Sequence, residues 1–253
     1  MNEREIAAAT DEFEAARGRG EYFPKAWFDR LSLDDSYRLQ LALIRRRGER
    51  RVGWKVGLTS TAIQQQFQVH EPVFGSLLAE GRLGTGHVFR RDALIAPGFE
   101  NELCIVMGRD LAPGATLADV AATVARAHPA FEIIETRGDL TRQLALALAD
   151  NAQQKAFVLG PAVERAALPE LDAVTVSVRI NGEEVATADG SAVLGHPYNS
   201  VAWLAAKLAQ FGEGVRAGDY VMSGSFTRQF PLAQGDRIEA NFAGIGTVRA
   251  GVV

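Results

Sequence analysis

Two glutamates, Glu100 and Glu102, stand two residues apart at the mouth of the short apolar run Leu103–Met107. The run is closed by Gly108, and it predicts a strand that is buried on both faces. Side chains at positions i and i+2 of a strand point to the same face, so the two carboxylates share one wall. At ~5 Å apart they repel by roughly 3 kcal/mol at an effective dielectric constant of about 20. A hard divalent cation with oxygen ligands would offset this repulsion. The alternative is a solvated strand end whose acids face water.

A third carboxylate, Glu132, lies inside another apolar run, enclosed by Phe131, Ile133 and Ile134. Burying an acid in such surroundings is costly unless it is paired or bound to a metal. We therefore expect Glu132 to join Glu100 and Glu102 in an oxygen-ligated site for Mg²⁺ or Mn²⁺. The alternative is an ion pair between Glu132 and an arginine such as Arg137.

A lysine, Lys55, lies in a segment whose residues alternate between apolar and small or polar types. Val52, Trp54 and Val56 alternate with Gly53, Lys55 and Gly57, which predicts a strand with the lysine between two glycines on one face. Glycines at such positions leave room for a ligand or for another backbone. Lys55 is therefore a candidate acid-base group. The alternative is an edge-strand lysine that faces solvent.

Other catalytic signatures do not occur. The nucleotide-binding patterns GxGxxG and GxxxxGK[ST] are missing, as are a GxSxG elbow and any Cys/His spacing for zinc. The four histidines are scattered, and His196 is the only one in an otherwise informative segment.

The composition also excludes several classes. The net charge is -4, and the one basic cluster, residues 45–51, sits near a predicted helix end, so we expect no nucleic-acid partner. The first twenty residues are charged and amphipathic, unlike a signal peptide, and no apolar run approaches the ~20 residues that would span a bilayer. The one cysteine, Cys104, cannot form an internal disulfide. We therefore expect a cytoplasmic protein without a membrane segment.

The predicted elements form a helical leader followed by a mostly β body. Residues 3–17 have helical periodicity, and a second helix is capped by Ser32 and ends at Gly48. The turn-like segment 72–75 leads into paired leucines, and an amphipathic helix is predicted over 199–211, capped by Asn199 or Ser200. We find no internal repeat, linker or domain boundary. The prediction is a single domain, 1–253, in which a leader (1–50) packs on a metal-binding catalytic body (51–253).

Several separate motifs, in order along the chain, resemble one known group of enzymes. The match runs from about Arg51 to the carboxyl terminus, and the motifs are GWKVGLTS, ENELCIVMGRDL, AFEIIETR, ADNAQ, VLGHPYNSVAWLA and SGSFT. They resemble the 2-keto-4-pentenoate hydratase / 4-oxalocrotonate decarboxylase group of the fumarylacetoacetate hydrolase superfamily. The resemblance implies an α+β fold, a mixed β-sandwich roll with peripheral helices, assembled into homo-oligomers. It also implies a divalent metal, Mg²⁺ or Mn²⁺, on Glu100, Glu102 and Glu132, in agreement with the residues themselves.

The resemblance further implies a small 2-oxo or 2-hydroxy alkenoic acid from aromatic catabolism as substrate. Its 1-carboxylate and 2-oxo group can chelate a metal, which then stabilises the enolate formed at C3. In this interpretation Lys55 moves protons or neutralises the substrate carboxylate, and Ser225 and Thr227 offer hydroxyls to the substrate or to water. Association with another enzyme of the same pathway is a further expectation.

Three departures from the hydratase pattern bear on the reaction. Val73 stands where hydratases of the group tend to carry an aspartate, Ala79-Glu80 follows the paired leucines where acids are usual, and no arginine lies near Gly98. Glu80 is the remaining acid that could position water. We favour a hydratase for 2-hydroxypenta-2,4-dienoate, with a 4-oxalocrotonate-type decarboxylase as the alternative. The motifs are also compatible with a C–C hydrolase of acylpyruvates, a non-catalytic small-acid binder or a structural partner of a pathway enzyme.

Overall fold

The structure, a computed structural model that describes residues 1–253, contains six α-helices and fourteen strands. None of the helices is both long and apolar enough to cross a membrane. The helices are α1 (Glu3–Gly18), α2 (Leu33–Arg47), α3 (Thr61–Gln66), α4 (Leu117–Thr123), α5 (Leu144–Ala149) and α6 (Pro197–Ala209). The strands are β1 (Arg51–Gly57), β2 (Val73–Leu78), β3 (Arg82–Gly84), β4 (His87–Phe89), β5 (Pro97–Met107), β6 (Val124–Glu135), β7 (Gln154–Leu159), β8 (Val163–Glu164), β9 (Thr175–Ile180), β10 (Glu183–Asp189), β11 (Tyr220–Met222), β12 (Phe230–Pro231), β13 (Arg237–Phe242) and β14 (Gly246–Val252).

The strands form two sheets. The larger follows the order β2-β1-β11-β5-β6-β7-β3, with β12 paired to β5 and β8 paired to β6. The smaller follows the order β10-β9-β13-β14-β4. Because β2 also contacts β7, the larger sheet curls into a roll. The helices lie around the sheets, which confirms the predicted α+β class with peripheral helices.

The strand β5 is the centre of the larger sheet. It pairs in antiparallel register with β6 along nearly its whole length, and with β11 and β12 on its other side. Every residue from Leu103 to Met107 is buried, so the prediction of a strand buried on both faces is confirmed.

The two faces of the larger sheet pack differently. Leu103 and Ile105 belong to the main core, which lies between the two sheets and also takes in Trp54 and Phe131. The alternate residue Cys104 points to the inner face of the roll. There it belongs to a small apolar cluster formed by Leu77, Cys104, Ala130, Phe157 and Met222. The alternation of side chains along β5 and β6 puts Glu100, Glu102 and Glu132 on this same inner face.

The helical leader packs on the edge strand β2. Ser32 caps α2 by accepting a hydrogen bond from the Asp35 N–H, and Gly48 ends the helix in a left-handed conformation, as predicted. The Tyr37 ring stacks on Phe74 with centroids 4.1 Å apart. Gln40 of α2 is fully buried, and its amide donates to the Leu148 carbonyl.

Three sequence-based element predictions need correction. Val73 and Phe74, predicted in a turn, are extended because they pair with Gly57 and Val56 of β1. The segment 82–91, predicted as an irregular connection, contains β3 and β4. The helix α6 begins at Pro197, and its cap is His196, whose Nδ1 accepts from the Tyr198 N–H. Proline suits the first helical position because its missing N–H would be unpaired there.

Candidate metal centre

Three carboxylates meet on the inner face of the roll. Glu100 of β5 is the cross-strand partner of Glu132 on β6, and Glu102 follows two residues later on the same face. Ligand oxygens of the three side chains all lie within 4.8 Å of one another. Glu102 and Glu132 are fully buried, and Glu100 is half-buried. The strand register therefore assembles the three glutamates that the sequence singled out, whereas their binding of a metal stays a prediction.

Three buried oxygens of this cluster accept no hydrogen bond from the protein. Glu102 Oε2 accepts a hydrogen bond of 2.7 Å from the Gly224 N–H. Glu102 Oε1 and both oxygens of Glu132 are buried and accept none. A buried acceptor without a donor is costly, and it demands an explanation such as a bound ion. Carboxylate oxygens are the ligands that Mg²⁺, Mn²⁺ and Ca²⁺ prefer, so these residues fit a hard divalent cation.

Burial and mutual repulsion make the three acids hard to ionise without a cation. Burial, and then the charge of Glu132, raise the pKa of Glu100 to about 7. Burial, with the charges of Glu132 and Glu100, holds the pKa of Glu102 well above its ordinary value. Burial also raises the pKa of Glu132, although Lys55 opposes the shift. A divalent cation would replace protons at these carboxylates.

Lys55 faces this cluster from β1. Its Nζ lies 3.3 Å from Glu132 Oε1, an ion-pair distance, although the geometry is not that of an aligned hydrogen bond. Lys55 is 5% exposed, so the solvent-facing alternative is wrong. Burial would lower the pKa of Lys55, but Glu132, followed by Glu100 and Glu102, outweighs burial and leaves that pKa raised. The amine therefore carries a positive charge beside these carboxylates.

The alternative partner for Glu132, Arg137, lies elsewhere. Arg137 bonds Glu135 at 2.8 Å and also pairs with Asp150. The prediction of a Glu132–Arg137 pair is therefore wrong. Glu135, the last residue of β6, alternates with Glu132 and so points away from the inner face, and Arg137 follows the strand and pairs with Glu135 there.

Glycines shape the space around Lys55. A Cβ atom at Gly57 would lie 3.6 Å from Lys55 Nζ and 3.3 Å from Val73 Cγ2. Val73 thus lies on the same face as the lysine and beside its amine end. At Gly53 a Cβ would overlap the Tyr220 backbone of β11, so this glycine permits the close approach of another strand.

The segment after β11 borders the carboxylates on a further side. Thr227 Oγ1 accepts a hydrogen bond from the Asn101 amide and donates to the Arg228 carbonyl. The Ser225 hydroxyl lies 3.4 Å from the Asn101 carbonyl. Both hydroxyls therefore lie near β5, but each already has an intramolecular partner. The Gly224 N–H, which no sequence pattern singles out, is the group that contacts Glu102.

The structure does not bring Glu80 to the three glutamates. Glu80 lies in the 3-10 turn Ala79–Gly81, beyond the end of β2. It lines a polar cavity of about 360 Å³ together with Arg17, Arg47 and Asp150. None of the three glutamates lines that cavity. The prediction that Glu80 positions water at the metal centre therefore has no support in the geometry. Glu80 follows the end of β2 and lines a separate cavity.

Another group of possible ligands, Glu170, Asp172 and His196, lies at the start of α6. The cap bond uses His196 Nδ1 as an acceptor, so the neutral ring carries its proton on Nε2 and offers no free lone pair. His196 is thus a structural residue. No histidine belongs to the Glu100–Glu102–Glu132 group.

Comparisons with known proteins place the fold in context. The family model for Fumarylacetoacetate (FAA) hydrolase C-terminal matches residues 62–253. The chain is 35% identical over 227 residues to a 2-keto-4-pentenoate hydratase from Paraburkholderia xenovorans strain LB400, covering 88% of this chain and 84% of that one. It is 34% identical over 257 residues to a 4-oxalocrotonate decarboxylase from Pseudomonas putida, covering 99% of this chain and 97% of that one. The solved structure of 4-oxalocrotonate decarboxylase from Pseudomonas putida G7, complexed with magnesium and adipate, superposes with a TM-score of 0.90 at 32% identity, covering 100% of this chain and 99% of that one.

Proposed function

The chain belongs to the fumarylacetoacetate hydrolase family, and from this premise we propose that it is a divalent-metal-dependent lyase for a small 2-oxo or 2-hydroxy alkenoic acid. The family membership and fold expected from the motifs are confirmed. The observation that carries the proposal is the cluster of three glutamates faced by Lys55, in which three buried oxygens of Glu102 and Glu132 accept no hydrogen bond. Relatives named as hydratases and decarboxylases, and a neighbour complexed with magnesium, support the same chemistry.

In this proposal Glu100, Glu102 and Glu132 hold the cation, and the Gly224 N–H fixes the orientation of Glu102. When bound, a divalent cation supplies Lewis acidity that stabilises negative charge on the 2-oxo oxygen of an enolate. Glu132 keeps Lys55 in place by their ion pair. The Lys55 ammonium neutralises the substrate carboxylate or moves a proton at the carbon chain. Buried surroundings strengthen these interactions because water is excluded.

We propose hydration of 2-hydroxypenta-2,4-dienoate as the reaction. Water adds across the terminal double bond of the dienol and gives a hydroxylated 2-oxo acid. The identity to named hydratases supports this assignment. Ser225 and Thr227 are the proposed hydroxyls for substrate or water, although each would have to exchange the intramolecular hydrogen bond that it now makes.

Decarboxylation is the second candidate, and two specific observations favour it. The apolar Val73 lies beside the amine end of Lys55, where an acid would help to activate water. An apolar wall instead favours loss of a distal carboxylate as neutral CO₂. The likeness to the decarboxylase also covers nearly the whole of both chains, including the helical leader.

The decisive experiment is an assay on a panel of 2-oxo and 2-hydroxy alkenoates with and without Mg²⁺. Formation of a hydroxylated 2-oxo acid identifies the hydratase, and release of CO₂ identifies the decarboxylase. Cleavage of an acylpyruvate identifies the C–C hydrolase, for which a base near the metal would be needed. Saturable binding of these acids without turnover identifies the small-acid binder and rejects the enzyme.

We also propose that the chain acts in the cytoplasm as a homo-oligomer, in association with another enzyme of the same pathway, and that residues 1–50 and 51–253 fold as one domain. The ring stacking between Tyr37 and Phe74 supports a single domain. Analytical ultracentrifugation tests the assembly state.

A further inference from the structure

One edge of the strand β2, close to the metal centre, is not hydrogen-bonded to any other strand. The strand lies at one end of the larger sheet and pairs only with β1. On the side away from β1, the backbone N–H and carbonyl of Ser76 are buried and have no partner strand. Asn151 satisfies both: its Oδ1 accepts from the Ser76 N–H at 2.7 Å, and its Nδ2 donates to the Ser76 carbonyl at 2.9 Å. The Asn151 side chain thus takes the place of a neighbouring strand.

Asn151 opens an unusual turn. Asn151, Ala152 and Gln153 have φ angles of 56°, 48° and 61°, so three successive residues with side chains adopt left-handed conformations. Asparagine tolerates this region, but alanine and glutamine rarely occupy it. Such conformations persist where the surrounding structure enforces them, and they concentrate at functional sites. The turn is a buried, strained segment, and the two hydrogen bonds between the Asn151 side chain and the Ser76 backbone help to hold it.

The same turn contacts the wall on which Lys55 lies. A Cβ atom at Gly75 would be 3.0 Å from the Asn151 carbonyl oxygen, 3.2 Å from Lys55 Cε and 3.3 Å from Lys55 Cγ. The Gly75 backbone is therefore enclosed between the Asn151 turn and the alkyl stem of Lys55. Gly75 directly precedes Ser76, the residue that Asn151 holds. The lysine stem therefore packs beside the backbone that Asn151 holds.

We propose that Asn151 is a positioning residue for Lys55. It acts through the backbone of Ser76 and Gly75, without touching the substrate or the carboxylates. Because β2 is an edge strand, no further strand hydrogen-bonds to this backbone from outside. The inference rests on the proposed function insofar as Lys55 takes part in turnover. Its structural content, that Asn151 determines where Lys55 Nζ lies, is independent of the reaction.

The first test is Asn151→Gly. Glycine accepts the positive φ angle, so this variant removes the two bonds to Ser76 without adding backbone strain. We expect kcat to fall about 10- to 100-fold, because a displacement of about 1 Å at a catalytic group has effects of this size. Mn²⁺, measured by calorimetry, should still bind to the variant, since the three glutamates are untouched.

The matched control is Asn181→Gly. Asn181 also has a positive φ angle, 54°, in the β9–β10 turn, and its side chain bonds the Arg237 N–H and Asp236. The control removes the same kind of bonds from another sheet, so it should lower the melting temperature and leave kcat unchanged. A second variant, Gly75→Ala, keeps the bonds to Ser76 but presses on the Lys55 stem, and it should reproduce the loss of kcat.

The crystal structure of Asn151→Gly gives the readout that does not depend on activity. We expect Lys55 Nζ to lie beyond about 4 Å, the limit of an ion pair, from Glu132. If Asn151→Gly fails to fold, Asn151→Asp serves instead, since it keeps an acceptor for the Ser76 N–H but sets a carboxylate oxygen against the Ser76 carbonyl. An unmoved Lys55, or wild-type kcat in a folded variant when Lys55→Ala is inactive, overturns the positioning role. Absence of turnover in the wild-type enzyme would instead reject the proposed function, and the position of Lys55 in the variant would still decide this inference.

Discussion

Lys55 Nζ and Glu132 Oε1 lie 3.3 Å apart, although their strands, β1 and β6, are separated in the sheet by β11 and β5. Strands in a flat sheet are spaced by about 4.8 Å, which would put β1 and β6 about 14 Å apart. The contact therefore exists because the sheet curls into a roll. Curvature brings a cation and three carboxylates, which come from distant parts of the chain, onto one inner face.

Replacement of Lys55 by alanine tests the role of this contact in turnover. We expect Lys55→Ala to fold and to lose kcat by about 100-fold or more, as for removal of an acid-base or charge-stabilising group. Lys25→Ala, at an exposed position in the leader, is the matched control and should behave as wild type. Steady-state kinetics at saturating Mg²⁺ measures both. A wild-type kcat in Lys55→Ala would contradict a catalytic role and would leave Lys55 only the role of a structural counter-ion of Glu132.

Removal of the cation should destabilise the protein as well as stop the reaction. Chelation with EDTA leaves three clustered carboxylates with only the Lys55 ammonium to offset their charge, so the melting temperature should fall and rise again with added Mg²⁺. Glu102→Gln removes one of these charges. It should melt at a higher temperature than wild type in EDTA and should lose the rise with Mg²⁺.

The matched control for this prediction is Glu80→Gln. Glu80 lies in the separate polar cavity, so its replacement should preserve the full rise in melting temperature with Mg²⁺. Differential scanning calorimetry measures all three proteins. An equal response of Glu102→Gln and wild type to Mg²⁺ would place the cation somewhere else.

The stability of the metal-free protein should fall as the pH rises from about 4.5 to 7. Burial and the charge of Glu132 raise the pKa of Glu100 to about 7 from its ordinary value of 4.5. In this window the Glu100 carboxyl releases its proton in the unfolded chain but retains it in the folded chain. Ionisation therefore stabilises the unfolded state relative to the folded state. The stability that the protonated Glu100 carboxyl contributes to the folded protein is fully present below pH 4.5 and is lost as the pH passes 7.

Melting temperatures in EDTA at several pH values check this dependence. Saturating Mg²⁺ should remove the decline, because the cation binds the ionised carboxylates. Glu102→Gln should show a shallower decline than wild type in EDTA. Burial lowers the pKa of His128 and of His196, which acts in the opposite sense with and without Mg²⁺ alike, so the test is the difference between the two series. The same pH dependence in EDTA and in saturating Mg²⁺ would contradict the raised pKa of Glu100.

Much of the metal centre was predictable from local patterns. The period of two along a strand predicts that Glu100 and Glu102 share a face, and the apolar surroundings of Glu132 mark it as a buried acid. The partner of Glu132 was not predictable from local sequence, because Lys55 reaches it only through the curvature of a sheet that joins β1 to β6. Arg137 is nearer in sequence, but it lies beyond the end of β6 and pairs with Glu135 and Asp150 instead.

Other features depended on tertiary structure in the same way. The sequence predicts a turn at 72–75, whereas pairing with β1 extends Val73 and carries Glu80 past the site. The stretch around Asn151 was visible in the sequence as the ADNAQ motif. Its role in holding Ser76 was not, because the two residues are 75 positions apart. The cap of α6 was missed because His196 is an uncommon cap residue, although Pro197 was a sound signal for the helix start.

The residue beside the amine end of Lys55 should decide between hydration and decarboxylation. Val73→Asp introduces an acid that can activate water, so it should raise any hydration rate and depress any loss of CO₂. Val73→Asn, which has nearly the same shape as the aspartate but no charge, separates the effect of ionisation from that of polarity and volume. Product analysis by NMR with a single substrate measures both reactions. Unchanged rates in both variants would make Val73 a packing residue of β2 only.

The central claim is that Glu100, Glu102 and Glu132 hold a divalent cation on the inner face of the roll. The most direct measurement is anomalous diffraction from a crystal of the wild-type protein soaked with Mn²⁺. The account predicts a single strong anomalous peak at about 2.0–2.6 Å from oxygens of all three glutamates, the range for hard divalent cations, and its loss in Glu102→Gln. A saturating soak with no peak between these carboxylates, or with its main peak at another site, would contradict the claim.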